Sequence, residues 1–157
     1  MTDARIFFYT EGKPPSFGKT ILKKSILSDL EEKEGLIEEI LEAIWNAGFK
    51  KHSSEVGVRL CLDEGLTNAV LHGNENNPEK QVHIHLFANK TRWGIIISDQ
   101  GKGFEIEDVP DQDSDESRYL EGGRGVFLMN YYMNHVGYYN KGTTLYMSKT
   151  KTRRSNK

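Results

Sequence analysis

The sequence predicts a single α/β domain, and three observations carry that expectation. Two stretches of alternating residues, VHIHLFA followed by WGIIISD and then HVGYYNKGTTLYMSKT, read as antiparallel hairpins closed by short polar turns. Two longer stretches repeat their apolar residues at helical spacing. The 157 residues, 36% hydrophobic and 28% charged, suffice for one core of ordinary composition.

Residues 1 to 18 hold the short apolar run IFFY and then GKPPSFG, which reads as an arm or an extra edge strand ending in a turn. TILKKSIL, residues 20 to 27, mixes β-branched and other apolar residues and predicts a strand. Ser28 with Glu31 three residues later fits a capping box. Leu30, Ile37, Ile40, Leu41, Ile44 and Trp45 then recur at helical spacing, so a first helix is expected over 29–47, stopping at Gly48. Ser53 or Ser54 can cap a second helix that ends near Gly73. The first hairpin turns through residues 89 to 92. Residues 100 to 121 form a Gly-containing acidic loop, a third helix covers about 124–134, and the second hairpin turns near 140–142. The expected division is an N-terminal arm or edge strand over 1–18, one domain over 19–150 and a basic tail over 151–157.

A formal net charge of −2 gives no overall basic field, so direct nucleic-acid binding has no electrostatic support. The single Cys61 excludes an internal disulfide and a cysteine-rich metal site, and is expected as a small core residue in a reducing compartment. No apolar run approaches a membrane span, and IFFY is too short for a signal-peptide core. A cytoplasmic protein without a membrane partner is expected.

Within the second helix, DEGLTNAVLHGN places Glu64, Asn68 and His72 four residues apart. At about 100° per residue they drift by only roughly 40° per step and share one polar stripe. Val58, Leu62, Leu66, Ala69 and Val70 lie on the far side. A helix apolar over most of its circumference is buried, and a buried polar stripe needs a polar partner.

Two other motifs carry no such weight. GKPPSFGKT resembles a phosphate-binding loop, but its spacing is off by one, two prolines remove backbone donors, and a strand rather than a helix follows. DQDSDESRYLEG has the acidic rhythm of a calcium loop, yet Glu116 stands where the turn needs Gly and Gly122 where the bidentate Glu belongs.

Two glycine-bearing elements lie downstream of the stripe. In DQGKGF, Asp99 ends a strand that is otherwise apolar, so its carboxylate is expected to be half buried and to need a donor such as the exocyclic amine of a base. Gly101 and Gly103 allow the backbone to approach a flat ligand. GGRGVFLM opens the third helix, where free N–H groups form an anion site. Together these predict a nucleotide, with Asp99 at the base, the third helix at the phosphates and Asn68 on a bridging Mg²⁺.

The three motifs, E-x-x-x-N-A-x-x-H-G, D-x-G-x-G-F and G-G-x-G-x-x-L-M, occur in that order, and in this the chain resembles GHKL-type ATPase domains of the Bergerat fold. More narrowly it resembles the bacterial anti-sigma-factor serine/threonine kinases over about residues 20 to 150. The resemblance implies an α/β, two-layer sandwich with a mixed, mainly antiparallel sheet covered on one face by three helices. It implies ATP and Mg²⁺, with Asn68 on the metal, Glu64 as general base and Asp99 on adenine beside Gly101 and Gly103. Gly123 and Gly125 fall on the phosphate-binding box, and Thr143 of the GTT segment falls beside the adenine. The implied partners are a sigma factor, an anti-anti-sigma protein of the STAS type and a second copy in a homodimer, to which the aromatic residues 131 to 139 are candidates. Lys102 and Arg124 suit a phosphate on position alone. One departure is the segment 105–121, with eight acidic residues against one Arg118, an unusually negative neighbour for a polyphosphate. The competing function is an ATP-gated module that sequesters a partner without phosphorylating it. A sensor histidine kinase is disfavoured, because no long helix pair carrying an acceptor histidine precedes the stripe.

Overall fold

The computed structural model describes residues 6–49, 55–104 and 129–151. Six strands form one sheet: β1 (Ile6–Thr10), β2 (Lys19–Leu27), β3 (Gln81–Ala88), β4 (Arg92–Ser98), β5 (His135–Tyr139) and β6 (Thr144–Thr150). Their order across the sheet is β1-β5-β6-β4-β3-β2. Four of the five neighbouring pairs are antiparallel, and only β1 with β5 is parallel. The sheet is therefore mixed and mainly antiparallel. Helices α1 (Leu30–Asn46) and α2 (Glu55–Thr67), with a helical turn over residues 129–132, complete an α/β two-layer sandwich.

Alternation along the strands decides which residues meet the helices. Val82, Ile84 and Leu86 of β3, Trp93, Ile95 and Ile97 of β4, and Leu145 and Met147 of β6 are buried in the main core. Against them lie Leu36, Ile37, Ile40, Leu41 and Ile44 of α1, and Val58, Cys61, Leu62 and Leu66 of α2. Each such aliphatic side chain contributes about 1.5–3 kcal/mol relative to exposure, which makes this face the thermodynamic centre of the fold. Cys61 is wholly buried, and burial pushes its thiol up to about 12, as befits a core residue rather than a nucleophile.

The opposite face carries a smaller cluster of Phe87, Tyr139 and Tyr146, packed by Phe17 and Ile96. Phe17 meets Phe87 edge-on with centroids 4.8 Å apart, and the Arg92 guanidinium sits 3.9 Å from the Phe17 centroid. The segment that superficially resembled a phosphate loop thus supplies an aromatic cover for the sheet. Residues Ile6–Thr10 are an edge strand, joined to β5 over five register positions.

The start of the first helix differs from expectation. Asp29 is the N-cap, with extended backbone and a carboxylate accepting the Glu31 N–H at 2.9 Å. Ser28 is buried instead, and its hydroxyl donates to the Lys80 carbonyl at 2.9 Å. Leu30, expected on the apolar stripe, lies in the first turn and is 38% exposed. The expected caps Ser53 and Ser54, the acidic segment 105–121, and Gly123, Arg124 and Gly125 lie outside the described residues.

Candidate active site

The second helix changes its winding where the polar stripe runs. After Thr67 it continues as a wider turn over Asn68–Gly73, in which the Asn74 N–H reaches the Ala69 carbonyl five residues back at 2.8 Å. Such i to i+5 turns recur at functional sites because they re-aim side chains without ending the helix. Glu64 and Asn68 are half buried, whereas His72 is exposed at the far end of the stripe. The apolar side is as expected, with Val58, Leu62, Leu66, Ala69 and Val70 all buried.

The partner of the stripe is a tyrosine that the sequence reading did not single out. Tyr138 of β5 is buried, and its phenol shares a hydrogen bond with the Asn68 carboxamide. Burial raises the Tyr138 pKa, and the charges of Glu64 and Asp99 raise it further. The buried phenol thus sits beside Asn68 and within electrostatic reach of Glu64 and Asp99. A signal for it was present, because β5 alternates and Val136 and Tyr138 share the face turned towards the helices.

Asp99 follows β4 directly. Its N–H donates to the Thr143 carbonyl at 2.9 Å, and its carboxylate accepts the Gly101 N–H at 2.8 Å. Burial raises its pKa to about 6, against the lowering effects of the Gly101 hydrogen bond and the Lys80 charge. Among the described residues the carboxylate accepts one backbone N–H, which leaves it acceptor capacity for a further donor. Gly73 and Gly101 make the close approach possible: a Cβ on Gly73 would collide with the Asp99 carboxylate, and one on Gly101 with the Gly73 carbonyl. Gly103 has φ +85°, and a side chain there would strike the Lys141 carbonyl. Phe104 then folds inward between Tyr9 and Tyr138, with centroids 5.5 and 5.0 Å away, and the Tyr9 hydroxyl donates to its carbonyl. The edge strand β1 thereby anchors the end of the Asp99 loop.

Thr143 is brought beside Asp99 through its backbone, while its hydroxyl donates to the Asn140 carbonyl at 3.0 Å. Lys102 is exposed on the same loop. The described part of the third helix reaches this region through Met129, whose sulfur accepts the Tyr138 hydroxyl at 4.0 Å. Of the aromatic stretch considered for an interface, Tyr138 and Tyr139 are buried and Tyr132 packs where a Cβ on Gly57 would fall, so core packing accounts for them. Tyr131 remains 55% exposed.

A family profile described as a histidine kinase-like ATPase domain matches residues 25–149, which is most of the chain. The chain belongs to the histidine kinase-like ATPase family, in its anti-sigma-factor kinase branch. It is 32% identical over 101 residues to a protein named anti-sigma F factor from Anoxybacillus flavithermus, spanning 61% of this chain and 69% of that one. It is 29% identical over 122 residues to a serine-protein kinase RsbW from Staphylococcus aureus, spanning 73% of this chain and 77% of that one. Among the described residues no helix is long and apolar enough to cross a membrane.

Proposed function

We propose that this chain is an ATP-dependent protein serine/threonine kinase that doubles as an anti-sigma factor. It phosphorylates an anti-anti-sigma protein of the STAS type and binds a sigma factor, exchanging one partner for the other as the phosphorylation state changes. The observation that carries this reading is the close seating of the Asp99 carboxylate against Gly73, the last residue of the turn that begins at Asn68, in a chain of this family. The names of the two relatives support the kinase and anti-sigma activities.

In this reading Asp99 accepts the exocyclic amine of adenine, Gly101 and Gly103 let backbone lie against the base, and Thr143 borders it. Gly123, Arg124 and Gly125 hold the phosphates. The donor set fits Mg²⁺, which favours oxygen ligands and keeps several waters, and Asn68 would hold it through its carboxamide oxygen. When bound, the ion neutralises charge on the transferring phosphoryl group. Glu64 lies one helical turn before Asn68 and takes the proton of the acceptor serine hydroxyl as that oxygen bonds to the γ-phosphorus. The bond from the γ-phosphorus to the bridging oxygen breaks, and ADP leaves. The protein works in the cytoplasm as a homodimer.

Incubation with radiolabelled ATP and its anti-anti-sigma partner tests the proposal. Phosphoserine on the partner is the expected result. ATP binding without phosphoserine under any condition would replace it by a module that sequesters a partner without catalysis.

A further inference from the structure

Asn74 is the one fully buried asparagine among the described residues, 0% exposed, and it stands one residue past the turn that carries Asn68. Its carboxamide uses each of its polar atoms. Oδ1 accepts the Gln100 N–H at 2.7 Å, and Nδ2 donates to the Ser28 hydroxyl at 2.7 Å and to the Gln81 carbonyl at 2.9 Å. The partners fix the orientation of the amide, since a backbone N–H can meet only the oxygen and a carbonyl only the nitrogen. Its own N–H closes the wide turn onto Ala69, and its carbonyl accepts the Asn77 N–H at 3.0 Å. Four elements are therefore joined at one side chain: the α1 entry, the end of the Asn68 turn, the start of β3 and the Asp99 loop.

Gln100 is held at both ends. Its backbone N–H goes to Asn74, and its side-chain oxygen accepts the Gln81 N–H at 2.7 Å. Asp99, immediately before it, is in turn held by Thr143 and by its own bond to Gly101. Without the Asn74 carboxamide the Gln100 N–H, the Gln81 carbonyl and the Ser28 hydroxyl would each lose a partner, and the loop would lose its tie to the Asn68 turn.

We infer that Asn74 is a positioning residue that clamps the Asp99 loop to the Asn68 turn and so sets discrimination of adenine from other bases. This rests on the reading of Asp99 as the group that accepts the adenine amine. Asn74 touches no substrate and acts through Gln100 on Asp99. Its removal selectively weakens nucleotides that present an amine, because a misaimed carboxylate forfeits that hydrogen bond while the phosphate contacts remain.

The test compares affinities for ATP and for inosine triphosphate, which lacks the exocyclic amine, in the wild-type chain and in Asn74→Ala. The wild type is expected to prefer ATP, and Asn74→Ala to lose roughly tenfold of that preference with inosine triphosphate affinity little changed. An equal fall for both nucleotides, or an unchanged preference, overturns the inference while leaving the reading of Asp99 intact. A wild type without preference overturns both. Should Asn74→Ala not fold, hydrogen exchange on the unliganded wild type decides: strong protection of the Gln100 amide supports the clamp, and exchange as fast as that of the exposed Lys102 amide refutes it.

Discussion

Two acidic side chains, Asp63 on α2 and Asp99 directly after β4, are treated in opposite ways by their surroundings. Asp63 of α2 accepts from the Lys33 ammonium of α1, and Lys33 is buried between the helices with Glu34 also beside it at 3.4 Å. Burial alone would lower the Lys33 pKa, but Asp63 and Glu34 outweigh it and hold it above the ordinary 10.5. Among the described residues Asp99 has no such cation in contact and one backbone donor on its carboxylate, and burial pushes it up to about 6. A charge that is matched inside the fold is scaffold, whereas a charge left short of donors is held ready for something that binds. The contrast separates the helix–helix contact from the cleft.

Substitutions that touch the cleft should change chemistry, and those at the ion pair should change stability alone. The largest effect is expected at Asn68→Ala, which abolishes Mg²⁺-dependent ATP binding in calorimetric titration while circular dichroism remains that of a folded chain. Next is Glu64→Gln, which retains ATP affinity and loses phosphoryl transfer by about 10²–10⁴-fold in a radiolabel assay. A Glu64→Gln protein with wild-type turnover would remove the general base from the account.

The pH dependence of Asp99 gives a smaller and more diagnostic effect. The ionised carboxylate is the stronger acceptor for the adenine amine, and its protonated form offers a hydroxyl that suits the inosine carbonyl instead, so the ratio of ATP to inosine triphosphate affinity is level above about pH 6 and falls below it. Taking the ratio cancels titration of the phosphates. Because the folded pKa is raised, protonated Asp99 favours folding, and this contribution is lost as pH rises through about 6. Asp99→Asn should therefore stabilise the unliganded chain at pH 7.5 by about 1 kcal/mol, allowing for partial exposure, and have no such effect at pH 3.5. Thermal melts at the two pH values check this.

At the ion pair, Lys33→Met should destabilise by about 1–2 kcal/mol, limited by the exposure of Asp63, with ATP affinity unchanged. The raised Lys33 pKa implies a contribution fully present below 10.5 and lost as pH rises through the folded value, so the deficit is constant from pH 6 to 9 in chemical denaturation. A large loss of ATP affinity in Lys33→Met would erase the distinction between the two regions.

What could be read from the sequence follows the range of the interactions involved. The hairpins were legible because alternation in VHIHLFA and in the second hairpin segment reports a local periodicity, and both close where expected. The half burial of Asp99 was legible from the isoleucines before it. Ser28 was misread as a cap because Ser28 and Asp29 are both capping types, and the choice between them is made by Asn74, which lies 46 residues away. The wide turn at Asn68 leaves the apolar side of the helix intact, so periodicity gives no sign of it. The parallel pairing of β1 with β5 joins residues about 130 apart and has no local signature. Asn74 has no local signature either, since a post-helix asparagine acquires meaning only from what folds against it; alternation in β5 marks Tyr138 as inward-facing but does not reveal that it meets Asn68.

The decisive measurement is a crystal structure with Mg²⁺ and a non-hydrolysable ATP analogue. The adenine amine is expected within hydrogen-bond distance of the Asp99 carboxylate and the metal on the Asn68 carboxamide oxygen. A nucleotide seated elsewhere, or a metal held with Asn68 still turned onto Tyr138 and away from it, would rule out this cleft as the ATP site.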